Sequence, residues 1–214
     1  MVAGGGILPV PRLRRGEAAA DPAAGNALQG RLRRDVRRPA RRRVYAAGSG
    51  DRETDFSMNL SSLSRRTGKA LKKRGQTLVT AESCTGGWVA QAVTSVSGSS
   101  DWFERGYVTY SNAAKREALG VRKATLARYG AVSEQTAREM ARGALKRSRG
   151  TICVSITGIA GPGGASPGKP VGMVCFGWAQ GRRIRSETKR FRGGRASVRR
   201  QSVIHALRGV LKWL

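Results

Sequence analysis

The chain has 214 residues, 39% of them hydrophobic, and a formal net charge of +28. This length suits one domain with some additional chain, and no apolar run approaches the roughly 18 residues of a membrane helix. The charge favours a polyanionic partner or a phosphorylated substrate. The single histidine, His205, nearly excludes a histidine metal site or a histidine-based triad, and three cysteines without metal-type spacing indicate reduced thiols in the cytosol.

Residues 1–56 have the composition of a disordered basic segment. They contain three consecutive glycines, scattered prolines and many arginines over 31–43, and their apolar residues show no period. A transit peptide and a nucleic-acid-binding arm are both open, although the acidic residues count against a transit peptide. We favour the interpretation that residues 1–56 are not part of the functional protein, because a start codon assigned too far upstream would produce such a segment. The folded domain is then predicted at 57–214.

Beyond residue 56, helical and strand patterns alternate. Helices are predicted over 57–74, over 113–119, after residue 133 and after residue 194, and strands over 77–81, 102–110, 151–157, 171–179 and 184–191. The last two strands form a hairpin that turns at 180–182. This order predicts an α/β domain with helices on a central sheet.

One predicted turn combines hydroxyl, thiol and carboxylate side chains with two glycines. Residues 80–87 are TAESCTGG, and they join an apolar strand to a helical pattern. The glycines allow a ligand to approach the backbone, and the helix start presents unpaired N–H groups to it. The turn therefore predicts a hydrolase nucleophile at Ser83, Cys84 or Thr85. The alternative is that Ser83 or Thr85 only caps the helix.

Two further polar segments follow predicted strands. They are Tyr-Ser-Asn at 110–112 and the glycine-rich loop 158–164. Because ligands of α/β sheets bind at the carboxyl ends of strands, these segments and the 80–87 turn are predicted to meet at one pocket. Lys115 can act as general base for a hydroxyl if burial or nearby positive charge lowers its pKa. The alternative is a solvated surface lysine.

Five motifs make the chain similar to the CinA C-terminal domain family, the nicotinamide-nucleotide amidohydrolases. The motifs are TAESCTGG at 80–87, VTYSN at 108–112 with Lys115, GAVSE at 130–134, SITGIAGP at 155–162 and KPVG at 169–172. They follow the family's order over nearly all of residues 58–214. We expect the stand-alone form of the family, without the N-terminal pyrophosphatase-like domain of full-length CinA proteins.

The resemblance implies a three-layer α/β/α sandwich around a central mixed sheet, in agreement with the pattern. It implies hydrolysis of the carboxamide of nicotinamide mononucleotide to nicotinic acid mononucleotide and ammonia. A hydroxyl nucleophile with a lysine base requires no metal, and the sequence offers no metal-ligand cluster, so we expect no cofactor. Family members are commonly oligomeric, so we expect a homo-oligomer. A cytoplasmic location without membrane association is also expected.

The resemblance further implies roles for individual residues. Thr85 is the first choice for the nucleophile and Ser83 the alternative, while Lys115 is the general base. Glu82 is expected to orient the lysine or the pyridine amide. The residues expected to contact the substrate are Gly86, Gly87, Tyr110, Asn112, Thr157, Gly158, Gly161, Arg195 and Arg199.

Within that set the expected contacts differ. Tyr110 and Asn112 line the pocket, and Thr157 with the backbone of 158–161 holds the amide oxygen or the phosphate. Either Arg195 or Arg199 grips the phosphate, because a guanidinium matches its geometry. The N–H groups of residues 85–87 stabilise the oxyanion of amide hydrolysis.

Three other functions compete with this reading. The net charge alone supports a nucleic-acid-binding protein, which could bind only through its basic surface. A competence-related partner protein with a decayed site is the second, and the intact motifs argue against it. The third is a cysteine hydrolase that uses Cys84, although we prefer a core-facing position for this thiol.

Overall fold

The structure, a computed structural model, describes residues 50–214, with side chains from residue 60 onward. Helix α1 (Gly50–Lys73) begins before residue 57, where the sequence pattern places its start. Residues 50–56 are therefore helical rather than disordered. The apolar stripe that predicts this helix begins only at Leu60, so the pattern carries no signal for the preceding turns. The rest of the predicted disordered segment lies outside the described residues.

The remaining elements follow the predicted alternation with one addition. In chain order they are β1 (Leu78–Glu82), α2 (Trp88–Thr94), a 3-10 turn (Ser99–Asp101), β2 (Phe103–Val108), α3 (Asn112–Leu119), α4 (Lys123–Tyr129), α5 (Glu134–Lys146), β3 (Ile152–Gly158), β4 (Met173–Gln180), β5 (Arg183–Arg190) and α6 (Arg195–Trp213). Helix α4 was not predicted, because its seven residues are too few to display a helical period.

The sheet is mixed and has the strand order β2-β1-β3-β4-β5. Strands β2, β1 and β3 are parallel, and β4 and β5 are antiparallel to their neighbours. Glu82, the last residue of β1, is in register with Val108 of β2 and Ile156 of β3. The carboxyl ends of the three parallel strands are therefore level, so the segments that follow them meet at one edge of the sheet.

Helices cover both faces of the sheet. Helices α1, α2 and α6 contact one another on one face, and α5 covers the other face with α3 and α4 beside it. Alternate strand residues divide between the two cores, so that Leu78 and Val154 lie in one and Val79 and Cys153 in the other. This arrangement confirms the predicted three-layer α/β/α sandwich around a mixed sheet.

Two further features of the described residues concern the cysteines and the possibility of a membrane-spanning helix. Cys84, Cys153 and Cys175 are free and buried. No helix within residues 50–214 is long and apolar enough to cross a bilayer.

Candidate active site

The β1–α2 turn, residues 83–87, has the predicted strand–turn–helix geometry. The Ser83 N–H donates to the Ile156 carbonyl at 2.9 Å, which attaches the start of the turn to β3. The Gly86 N–H donates to the Ser83 carbonyl at 3.0 Å. Gly86 and Gly87 have φ values of 62° and 90°. Backbone of this kind is open to glycine at little cost, which explains the glycine pair in the motif.

Lys115 reaches this turn from helix α3. The side chain of Ser111 caps that helix by accepting from the Ala114 N–H at 3.0 Å. Lys115 is only 2% exposed. Its Nζ lies 3.0 Å from Ser83 Oγ and donates to the Thr109 carbonyl at 2.8 Å. The alternative of a solvated surface lysine is therefore wrong.

The surroundings of Lys115 favour its neutral form. Burial lowers the pKa of the Lys115 amine, and the nearby Cys84 opposes that shift. Among the described residues no carboxylate forms an ion pair with this amine. A neutral amine within hydrogen-bond distance of a hydroxyl is the arrangement that a general base requires.

Glu82 is fully buried, and among the described residues no hydrogen bond or ion pair joins it to Lys115. Its two carboxylate oxygens accept hydrogen bonds from the N–H groups of Val89 and Ala90, at 3.0 and 2.8 Å. A carboxylate at this position satisfies unpaired donors at the start of α2. Neither of these hydrogen bonds supports the predicted role of Glu82 in orienting the lysine. The contact that Glu82 does make holds the far end of the β1–α2 turn.

The three nucleophile candidates in the turn differ in their surroundings. The Ser83 side chain is 9% exposed and adjoins Lys115. Thr85 is fully buried, and its hydroxyl has no hydrogen-bond partner among the described residues. Burial raises the pKa of the Cys84 thiol to about 12. Because the thiolate is the reactive form of cysteine, the cysteine hydrolase alternative is not favoured.

The two arginines at the start of α6 make different contacts. Arg195 is exposed, and its guanidinium donates to the Tyr110 hydroxyl at 2.8 Å and to the Gly161 carbonyl at 2.9 Å. Arg199 is half-buried and donates to the carbonyls of Cys84 and Thr85, at 3.1 and 2.8 Å. The first arginine therefore joins two segments at the rim, and the second holds the β1–α2 turn.

The other predicted substrate contacts lie at the same edge of the sheet. Tyr110 is 62% exposed, and Asn112 is exposed in the first turn of α3. The Thr157 hydroxyl donates to the Ala131 carbonyl at 2.8 Å. Gly158 ends β3, where an added Cβ would lie 2.8 Å from the Met173 carbonyl oxygen. Gly158 thus has a packing reason as well as a predicted role in binding.

Two parts of the site were not found from the sequence. The Thr109 carbonyl accepts from Lys115, but a backbone acceptor leaves no mark on a sequence. Trp88 stacks with Arg199, whose guanidinium carbon lies 5.3 Å from the ring centroid. Its place directly after Gly87 was the available signal. His205, the lone histidine, contacts Glu187 and packs on Phe176.

Comparison with known proteins agrees with this geometry. A family model described as CinA C-terminal domain matches residues 60–214. The chain belongs to this family. It is 57% identical over 150 residues to the nicotinamide-nucleotide amidohydrolase PncC of Escherichia coli K12, covering 69% of this chain and 90% of that protein. The PncC of Pseudomonas putida is 48% identical over 153 residues, with coverage of 72% and 96%.

A solved structure in the CinA family supports the fold. The competence/damage inducible protein CihA from Agrobacterium tumefaciens has a TM-score of 0.69 and 45% sequence identity. The match covers 72% of this chain and 94% of that one. The described fold is therefore the fold of a solved CinA-type protein over nearly its whole length.

Proposed function

We propose that this chain hydrolyses the carboxamide of nicotinamide mononucleotide to nicotinic acid mononucleotide and ammonia. The observation that carries the proposal is the buried Lys115 amine, 3.0 Å from Ser83 Oγ at the edge where all three parallel strands end. The names of the relatives from E. coli and P. putida, nicotinamide-nucleotide amidohydrolase, support the substrate class.

We assign the nucleophile to Ser83 and not to Thr85, the first choice of the sequence analysis. Among the residues described, Ser83 is the one whose hydroxyl lies within hydrogen-bond distance of the Lys115 amine. The Thr85 hydroxyl is buried without a partner among the described residues. A hydroxyl needs a base at hydrogen-bond distance to be activated, and Ser83 alone meets that condition.

In the first step, Ser83 Oγ attacks the carboxamide carbon while neutral Lys115 accepts the hydroxyl proton. The carbonyl oxygen becomes an oxyanion. Its electrons then re-form the carbonyl, the C–N bond breaks, and Lys115 returns the proton to the leaving nitrogen. Ammonia departs, and Ser83 carries the nicotinoyl group as an ester.

In the second step, water attacks the ester carbon while Lys115 accepts one of its protons. The bond to Ser83 Oγ breaks, Lys115 returns the proton to Ser83, and the nicotinate group leaves as the acid. Both steps use one side-chain base and one hydroxyl, so the scheme itself calls for no metal or cofactor.

The phosphate of the substrate is assigned to Arg195. This guanidinium is exposed at the rim and already meets Tyr110, whereas Arg199 is engaged with the turn. Asn112, Thr157 and the backbone of 158–161 remain the proposed lining of the pocket. A charge-assisted bond to phosphate is among the stronger hydrogen bonds in proteins.

The experiment is ammonia release from nicotinamide mononucleotide by the purified full chain, with Ser83→Ala as the matched negative. Equal release by wild type and Ser83→Ala would overturn the nucleophile, and no release by wild type would overturn the activity. Addition of a chelator tests the metal-free scheme, because a loss that zinc restores would contradict it.

We also propose that residues 57–214 suffice for activity, a boundary that remains to be tested. Because α1 begins at Gly50, two truncations starting at Gly50 and at Met58 form a matched pair. Equal activity in both supports the boundary, and a Met58 form that fails to fold contradicts it.

We also propose that the chain forms a homo-oligomer and is located in the cytoplasm. A homo-oligomer is tested by light scattering coupled to gel filtration, and a cytoplasmic location by fractionation of the source cells. Nucleic-acid binding through the basic surface is not favoured, because only net charge supports it. A DNA-binding curve without a steep dependence on salt would count against it.

A further inference from the structure

Arg199 makes contacts that the binding of a substrate phosphate does not explain. Its Nε donates to the Cys84 carbonyl at 3.1 Å and its Nη2 donates to the Thr85 carbonyl at 2.8 Å. The guanidinium also stacks on Trp88, the first residue of α2. One side chain from the last helix thus holds consecutive peptide groups of the turn that carries Ser83.

Because a peptide bond is planar, the contacts of Arg199 with two carbonyls also fix the direction of the N–H groups on the opposite side of the turn. In a trans peptide the C=O and the following N–H point in opposite directions. If Arg199 holds the carbonyls of Cys84 and Thr85, the N–H groups of Thr85 and Gly86 face away from it. The Gly86 N–H already donates to the Ser83 carbonyl. The Thr85 N–H has no acceptor among the described residues.

We propose that Arg199 is a positioning residue that builds the oxyanion site. Its guanidinium fixes the two carbonyls, and thereby directs the Thr85 N–H toward the carboxamide oxygen when Ser83 attacks. This inference rests on the proposed amidohydrolase function and deepens it. It also removes Arg199 from the phosphate contacts that the sequence analysis considered.

The packing around Arg199 supports a fixed geometry. A Cβ added to Gly86 would lie 3.4 Å from Arg199 Nη2, about van der Waals distance, so the guanidinium packs directly against this part of the turn. On the other side, Glu82 holds the N–H groups of Val89 and Ala90. The turn is therefore held by a cation on its carbonyls and by an anion on the helix start. Preorganised donors of this kind stabilise a transition state without reorganisation.

Lysine cannot replace arginine at this position. The guanidinium is a planar fork whose donors reach two acceptors at once, whereas an ammonium is a compact charge on a flexible stem. Arg199→Lys keeps the charge and much of the stem, and removes only the two-acceptor geometry. It therefore isolates positioning from charge. Arg208, exposed later on the same helix and outside the site, provides the matched control as Arg208→Lys.

The test is steady-state kinetics of the full chain with nicotinamide mononucleotide. We expect Arg199→Lys to lower kcat by about 100-fold or more, the loss typical of one oxyanion donor, with KM within about twofold of wild type. Arg208→Lys should match wild type. Guanidinium ion should restore part of the activity of Arg199→Ala. A wild-type kcat in Arg199→Lys, or a raised KM with an unchanged kcat, would overturn the inference.

A measurement without substrate separates this inference from the proposed function. Hydrogen exchange of the amides in residues 84–87 should be faster in Arg199→Lys than in wild type, with β3 unchanged. If wild type releases no ammonia, the function fails, and the exchange rates still decide whether Arg199 holds the turn. Equal exchange in the two proteins contradicts the inference. If Arg199→Ala does not fold, Arg199→Lys carries both measurements.

Discussion

The inner part of the site, Ser83 and Lys115, is buried, whereas its outer part, Tyr110 and Arg195, faces solvent. Lys115 is 2% exposed and Ser83 is 9% exposed. The Lys115 amine forms hydrogen bonds with the Ser83 hydroxyl and with the Thr109 carbonyl. Tyr110 at the rim is 62% exposed, and Arg195 beside it is exposed as well. The amine whose pKa must be lowered thus lies where burial lowers it, and the groups proposed to bind a charged substrate stay accessible.

The largest expected effects come from breaking the inner part. Ser83→Ala and Lys115→Met should each lower kcat by at least about 10⁴-fold, because nucleophile and base act as a unit. Binding of the mononucleotide, measured by calorimetry, should persist in Lys115→Met. Thr85→Ala should keep far more activity than Ser83→Ala. The reverse order would return the nucleophile to Thr85.

Substitutions in the outer part of the site should affect substrate binding more than the chemical step. Arg195→Ala should raise KM for the mononucleotide by roughly 10- to 100-fold, the loss of a charge-assisted contact, with kcat within a few-fold. Arg208→Ala, on the same helix, is the control. Initial rates over a range of substrate concentrations decide the matter, and an unchanged KM would contradict the assignment of the phosphate to Arg195.

Burial of Lys115 also predicts how stability depends on pH. The pKa of this amine is lowered in the folded protein, so the unfolded chain binds an extra proton at pH values between the lowered pKa and the usual 10.5. Stability from this group therefore increases as pH rises through that window. Lys115→Met should raise Tm most at low and neutral pH, and the gain should shrink as pH approaches 10.5. A pH-independent gain in calorimetric scans would contradict the buried neutral lysine.

The smallest effect on activity is expected from substitution of Cys84, which lies between Ser83 and Thr85 in the turn. Cys84 is a buried thiol whose pKa is raised to about 12, so it supplies no thiolate at neutral pH. Cys84→Ala should retain activity within about threefold of wild type. Activity assays and thiol alkylation of the native protein check this, since an inactive Cys84→Ala with an active Ser83→Ala would identify the thiol as the nucleophile.

Much of the fold was accessible to sequence reasoning because its signals are local. The apolar β-branched run that becomes β3 and the hairpin that turns at Gly181 are patterns of neighbouring residues. Helix α4 was missed because seven residues show no clear period. The early start of α1 was missed because its apolar stripe begins only at Leu60.

The residues that make up the site are visible in the chain alone: a hydroxyl turn with two glycines after a buried strand, a lysine after a second strand, and arginines at the start of the last helix. The folded chain was needed to see which hydroxyl faces Lys115 and that Glu82 binds the start of α2. It was also needed to see that Arg199 binds the turn while Arg195 lies at the rim. These contacts join residues far apart in the chain, such as Thr85 and Arg199. Their geometry depends on how α3 and α6 pack against the sheet, which no local pattern records.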